Sequence, residues 1–244
     1  MAIISLEQFG QQFKALVEKK LAWSDFLASG RDLLGEFTSN PDWFKPILSN
    51  LVLDEAFLKS QWQSIDPNDI QIYRDPDKAF SIRAFIWEAN VRYPIHDHGA
   101  WGIVGAHINK VQEIKYARVD DGSNPNYVEV KAVSDAILSP GQTTYVLPMN
   151  EGIHQMAAVD DLTAVTIHIY GAPVRKGYIH YFNPHNHTAH RMYPPSLDKK
   201  VLAIRTLGSI SQEWSKEVLD RAVKAPNPDF IRMECLQSLQ QIKD

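Results

Sequence analysis

Between Ile70 and Tyr170 the sequence breaks into short alternating runs separated by turn signals. No other feature limits so strongly what the chain can fold into. Phe80, Ile82, Ala84 and Ile86 recur at every second position, so on a strand they share one face. Residues 113–116, 127–130, 144–147 and 163–170 also read as strands. Asp120-Asp121-Gly122, Ser139-Pro140-Gly141 and Asn150-Glu151-Gly152 supply the turns between them. Many short strands at regular spacing predict a sandwich, jelly roll or barrel.

On either side of this segment the period is helical. Ser5 and Gln8 fit a capping box, and Leu6, Phe9, Phe13, Leu16 and Val17 share one helical face. A second helix is expected from about Trp23 to Phe37, and a third from Asn40-Pro41 toward Gln61, with Pro46 as a candidate interruption. After about Ser196 helices return. One is expected from Ser209 to Val223, and a last one toward Ile242 opens at Asn227-Pro228, with asparagine as cap and proline at the first position. The plan is one domain over 1–244: helices over 1–65, a β-core over 70–195 and a helical extension over 196–244. No long flexible linker divides it.

Composition excludes several classes. The net charge is −4, with no basic stripe for nucleic acid and no polybasic run for anionic lipid. No run approaches the ~20 apolar residues of a membrane helix. The start, Met1 to Gly10, lacks the basic and apolar regions of a secretion signal. Cys235 is the only cysteine, so no intrachain disulfide forms. A soluble, cytoplasmic protein with neither nucleic-acid nor membrane partners is expected.

Chemistry concentrates in two short segments. In Pro94-Ile95-His96-Asp97-His98-Gly99 the two histidines stand at i and i+2, so both point to one side of a strand. They could be unrelated surface residues, or two ligands of one metal. Downstream, Gly152-Ile153-His154 follows a Pro/Gly turn. Neutral imidazole ligates iron, nickel, copper, manganese and zinc, and three imidazoles leave positions open for water, oxygen or substrate.

These segments resemble the two motifs of the cupin superfamily: His96-Asp97-His98 with Gly102, then Pro148 to Gly152 and His154. The glutamate that usually follows the first histidine pair is missing, since Gly102 and Ile103 stand there. That departure is a feature of the thiol dioxygenase branch, which uses three histidines. His96 to Gly105, Gly152-Ile153-His154 and Thr166 to Gly171 resemble the bacterial thiol dioxygenases related to cysteine and 3-mercaptopropionate dioxygenase. The resemblance covers about Ile70 to Pro184. It implies a mostly β fold with flanking helices, a cupin double-stranded β-helix or jelly-roll barrel. It also implies one Fe(II) on His96, His98 and His154, and oxidation of a small thiol by O2 to a sulfinate. Where mammalian-type enzymes carry a crosslinking cysteine this chain has Ile103, so no thioether crosslink is expected.

One face of the run from Thr163 to Tyr170 carries Thr166, His168 and Tyr170, which can hydrogen-bond along a strand. Such a row could merely satisfy its own polar groups. It also resembles the Ser-His-Tyr row of the thiol dioxygenases, with threonine in place of serine and the tyrosine near the iron. The resemblance further implies an arginine for the substrate carboxylate, a role suited to the guanidinium fork. Arg74 occupies the corresponding place, with Arg175 and Arg83 as alternatives. Trp101, Ile103, Val104 and Met156 are expected to exclude water. His180, His185, His187 and His190 read as a solvated loop, because Asn183-Pro184 marks a turn there.

Overall fold

The computed structural model describes residues 4–61, 64–210 and 212–242. Its contacts divide the chain into two compact units, Met1–Met192 and Tyr193–Asp244. The second unit corresponds to the expected C-terminal extension and opens at Tyr193.

The first unit begins with helices α1 (Leu6–Glu18) and α2 (Trp23–Thr38). The capping box is formed: the Gln8 backbone N–H donates to Ser5 Oγ at 3.2 Å, and the Ser5 N–H donates to Gln8 Oε1 at 2.9 Å. The expected third helix is three pieces, a 3-10 turn at Asp42–Phe44, α3 (Lys45–Leu53) and α4 (Glu55–Ser60). The break falls at Asp54, not Pro46. Pro46 sits in the first turn of α3, where a missing N–H costs nothing. The Asp54 carboxylate accepts the N–H groups of Ala56 and Phe57, capping a new helix.

The strands then run β1 (Asp69–Arg74), β2 (Phe80–Trp87), β3 (Ile95–His98), β4 (Gly102–Ile108), β5 (Val111–Arg118) and β6 (Val130–Leu138). They continue with β7 (Thr143–Val146), β8 (Met149–Ala158), β9 (Ala164–Gly171), β10 (Ile179–Asn183) and β11 (Thr188–Met192). They form two antiparallel sheets, β1-β2-β9-β4-β7 and β11-β10-β3-β8-β5-β6. This is the two-sheet core with flanking helices that the sequence predicts. The strand expected at 127–130 begins only at Val130. The residues before it make isolated bonds instead: the Val128 N–H donates to the His187 carbonyl at 3.0 Å, and the Asp120 carboxylate accepts the Glu129 N–H at 2.8 Å. The stretch read as a solvated loop contains the β10–β11 hairpin.

Both faces of the five-stranded sheet are buried. Phe80, Ile82 and Ala84 of β2, Ile103 of β4 and Val165, Ile167 and Ile169 of β9 pack against Phe9, Phe13, Phe26 and Leu34 of the helices. The opposite face meets the six-stranded sheet, where Phe85, Trp87, Val104 and Ala106 pack with Val111 and Met156. Complete burial on one side and a mixed polar lining on the other place the chemistry between the sheets. Trp101 and Ile103 belong to the helix side. Of the four residues expected to exclude water, only Val104 and Met156 face the interior.

The second unit consists of α5 (Pro195–Gly208), α6 (Glu213–Lys224) and α7 (Asp229–Gln241). The helix expected from Ser209 starts at Glu213, with residue 211 outside the described residues. Pro228, not Asn227, caps α7. Val201, Ile204, Leu219, Ile231 and Cys235 are buried in it. Arg205 Nε donates to Glu234 at 3.1 Å. Among the described residues no helix is long and apolar enough to cross a membrane.

Candidate metal centre

His96 lies directly opposite His154 on the adjacent strands β3 and β8, and a bulge follows before His98 pairs with Met149. Directly paired residues project to the same side of a sheet, so one short strand and its neighbour bring three imidazoles together. Their ring centroids lie 4.7–4.8 Å apart, and their candidate ligand atoms all lie within 4.8 Å of one another.

Each ring is oriented from behind. His96 Nδ1 donates to the Pro94 carbonyl at 3.0 Å and His98 Nδ1 to the Gly152 carbonyl at 3.2 Å. His154 Nδ1 meets the Glu113 carboxylate at 2.7 Å. A carbonyl only accepts, so the proton sits on Nδ1 and the Nε2 lone pair is free. His98 Nε2 and His154 Nε2 are buried without any hydrogen-bond partner. Such orphaned groups cost about 1–3 kcal/mol each, and a cation shared among the three rings would relieve that cost. Burial, with the neighbouring imidazoles, holds His98 and His154 well below the ordinary histidine range, so both rings are neutral at pH 7. The residues therefore fit a single first-row transition metal.

The expected row on β9 is present and gains a member. Trp87 Nε1 donates to Thr166 Oγ1 at 2.8 Å, Thr166 Oγ1 lies 2.7 Å from His168 Nε2, and His168 Nδ1 lies 2.8 Å from the Tyr170 hydroxyl. An indole can only donate. Thr166 is 0% exposed, and the acceptor for its hydroxyl proton is His168 Nε2. His168 then donates from Nδ1 to the Tyr170 oxygen, and the Tyr170 proton is left to point onward. Burial pushes His168 well below its usual range and Tyr170 well above its own, with Asp69 adding to the rise at Tyr170. Both are neutral. Tyr170 stacks on His98. Opposite it stands Gly102, where an added Cβ would come within 2.7 Å of the tyrosine ring, so the missing side chain makes room for Tyr170.

The three candidate arginines go to three places. Arg74 ends β1 at the sheet edge and is exposed; it pairs with Ser81, which pairs with Tyr170, so it starts from the same sheet face as Tyr170. Arg83 pairs with His168 across β2 and β9 and shares the inner face with Tyr170. Its guanidinium is held by Asp69, with Gln71 Oε1 at 3.4 Å. Arg175 is committed to Asp97, the residue between the two β3 histidines: Nη1 donates to Oδ2 at 2.7 Å, and Nη2 donates to Oδ1. His180 adds its N–H at 2.8 Å and its Nδ1 at 2.9 Å to the same carboxylate. Burial opposes the Asp97 charge, but His180 and Arg175 outweigh it and hold the carboxyl well below its usual range.

His180 is thus part of a buried clamp, whereas His185, His187 and His190 are exposed on the hairpin. Among the described residues no second group of three such side chains could hold a metal. Glu113 and Trp87 were not foreseeable as site residues. Each acts from another strand, and neither stands at a motif spacing.

No family model matches the chain. Solved structures similar to it include a cupin 2 conserved barrel domain protein from Rhodopseudomonas palustris, at 15% identity and a TM-score of 0.34, covering 44% of this chain and 62% of that one. The DMSP lyase DddQ from Ruegeria pomeroyi DSS-3 is similar at 13% identity and a TM-score of 0.30, covering 40% of this chain and 41% of that one. The hydroquinone 1,2-dioxygenase from Sphingomonas sp. TTNP3 is similar at 8% identity and a TM-score of 0.34, covering 48% of this chain and 72% of that one. The chain spans less than two thirds of the length of the first two of these structures.

Proposed function

We propose that the chain is a metal-dependent enzyme of the cupin type, an Fe(II) thiol dioxygenase that adds both atoms of O2 to the sulfur of a small thiol and yields a sulfinate. The observation that carries this reading is the Thr166-His168-Tyr170 row, which ends against His98, one of three convergent imidazoles. Iron(II), when bound, supplies the redox-active centre at which thiolate and O2 meet. The reaction balances as thiol plus O2 giving sulfinic acid, a step on the sulfur oxidation ladder that needs no other reductant.

The protein supplies orientation and proton control. His96, His98 and His154 would hold the metal by Nε2, because their Nδ1 atoms are engaged behind. Tyr170, kept protonated, donates a hydrogen bond toward the reacting atoms. Val104 and Met156 exclude water from the interior side. Arg83, beside His168, and Arg74, in line with Tyr170 through Ser81, are the candidate groups for a substrate carboxylate.

A second reading, a cupin enzyme acting on a substrate without a carboxylate, is favoured by one observation. Arg83 and Arg175 already have carboxylate partners in Asp69 and Asp97, and Arg74 is exposed. O2 uptake by anaerobically Fe(II)-loaded protein, over small thiols with and without carboxylates, separates the two. Uptake with a thiol carboxylate and a sulfinate product supports the main reading, and uptake only with uncharged or amino thiols moves the substrate class. No uptake with iron bound sinks thiol oxidation.

A further inference from the structure

We propose that Glu113 is a positioning residue of the metal centre, acting through His154. Its carboxylate holds the Nδ1 proton of that ring and makes His154 the strongest donor of the three imidazoles. The inference rests on the metal-centre reading but not on the reaction proposed for it.

Glu113 lies on β5, which pairs with β8 so that Lys115 faces His154 and Glu113 faces Met156. From there it reaches diagonally to His154 Nδ1, at 2.7 Å. It is 2% exposed. The other two rings lean on neutral carbonyls at 3.0 and 3.2 Å. Hydrogen bonds to an ionised acceptor are shorter and roughly twice as strong as neutral ones, so the three ligands are not equivalent. A carboxylate behind a ligating imidazole fixes its tautomer and raises its basicity.

Glu113 is itself held in place. Lys115 Nζ lies 3.8 Å from its second oxygen while donating to the Tyr145 carbonyl at 2.8 Å. Burial pushes the Glu113 carboxyl up, and the neighbouring Lys115 and Thr144 oppose that rise. β5 and β7 thus fix the carboxylate from two sides, and its position does not depend on a bound metal. Glu113 is not a member of the convergent ligand group, so its effect passes through the imidazole.

The test is a Co(II) titration of the metal-free full-length chain against a competing chelator, with absorption spectra, for the unsubstituted protein, Glu113→Gln and Glu113→Ala. Circular dichroism of the metal-free forms checks the fold, and the near-isosteric Glu113→Gln keeps the test meaningful if the alanine variant folds poorly. Glu113→Ala is expected to bind Co(II) about 10–100-fold more weakly. Glu113→Gln should fall between, because an amide oxygen still accepts the N–H, and both should shift the ligand-field bands. Binding by folded Glu113→Gln within about twofold of the unsubstituted protein, with an unchanged spectrum, overturns the proposal. So does a failure of the unsubstituted protein to bind Co(II), which would also sink the metal centre. Since cobalt binding and not turnover is read, a silent thiol assay leaves a positive result standing.

Discussion

The Tyr170 ring of the five-stranded sheet stacks on the His98 imidazole of the six-stranded sheet, with centroids 5.6 Å apart and planes 28° from parallel. The end of the hydrogen-bonded row and one of the three convergent imidazoles are therefore a single packed unit. Tyr170→Phe keeps the stack and removes the proton. It should retain iron while sulfinate formation falls about 10²–10⁴-fold, the usual contribution of a positioned proton donor. Iron per chain and product quantified on one sample check this. A variant that turns over normally would strip the row of its role.

Single His96→Ala, His98→Ala and His154→Ala variants should each lose stoichiometric iron. Conversely, adding metal to the metal-free protein should raise its Tm, since a ligand bound only by the folded state stabilises it. Elemental analysis and thermal melts with and without a chelator test both. An unchanged Tm on metal addition would contradict a preformed site.

Arg83 and Arg74 make opposite predictions. Both start from the sheet face that carries Tyr170, but Arg83 is held beside His168 by Asp69, whereas Arg74 is exposed at the sheet edge. With a thiol carboxylate, Arg83→Lys should raise KM by roughly 10-fold or more, because an ammonium cannot reproduce the guanidinium fork. Arg74→Ala should leave KM within about twofold. The reverse pattern would restore Arg74 as the substrate-binding residue.

The Asp97 clamp should matter more to stability than to chemistry. Asp97 is 1% exposed and pairs with the largely buried side chain of Arg175, which is 9% exposed. Asp97→Asn leaves that guanidinium without its charge partner, and breaking a buried pair in this way costs about 3–5 kcal/mol. Urea unfolding of the metal-free forms measures it. A loss below about 1 kcal/mol would show that the pair is solvated in solution.

His107 and His168 give the pH dependence its sign. Burial lowers both below the ordinary value. As pH falls through about 6.5, the unfolded chain takes up protons that the folded chain does not. Their contribution is therefore present above that pH and is lost progressively below it. The urea midpoint of the metal-free protein should fall between pH 7.5 and 5.5. His107→Leu should make that fall smaller, whatever its effect on stability at pH 7.5.

Much of the molecule was readable from local pattern. Two-residue alternation located β2, β7 and β9, the capping box located α1, and the spacing of His96, His98 and His154 picked out the three imidazoles that the structure brings together. These are properties of short segments, where side-chain direction follows from backbone geometry alone. The β10–β11 hairpin escaped notice because its strands mix His, Tyr and Phe, with no clean apolar face. The same was true of the partners drawn from distant strands. That Glu113 backs His154, that Trp87 opens the Thr166 row, that Asp97 is clamped by Arg175 and that Arg83 is held beside His168 by Asp69 all depend on strand register. Register is set by the packing of whole sheets, and a shift of one residue would turn each of these side chains to the opposite face. The sequence by itself thus determined which residues could bind a metal. Only the tertiary structure decided which groups orient them and which arginine stands beside them.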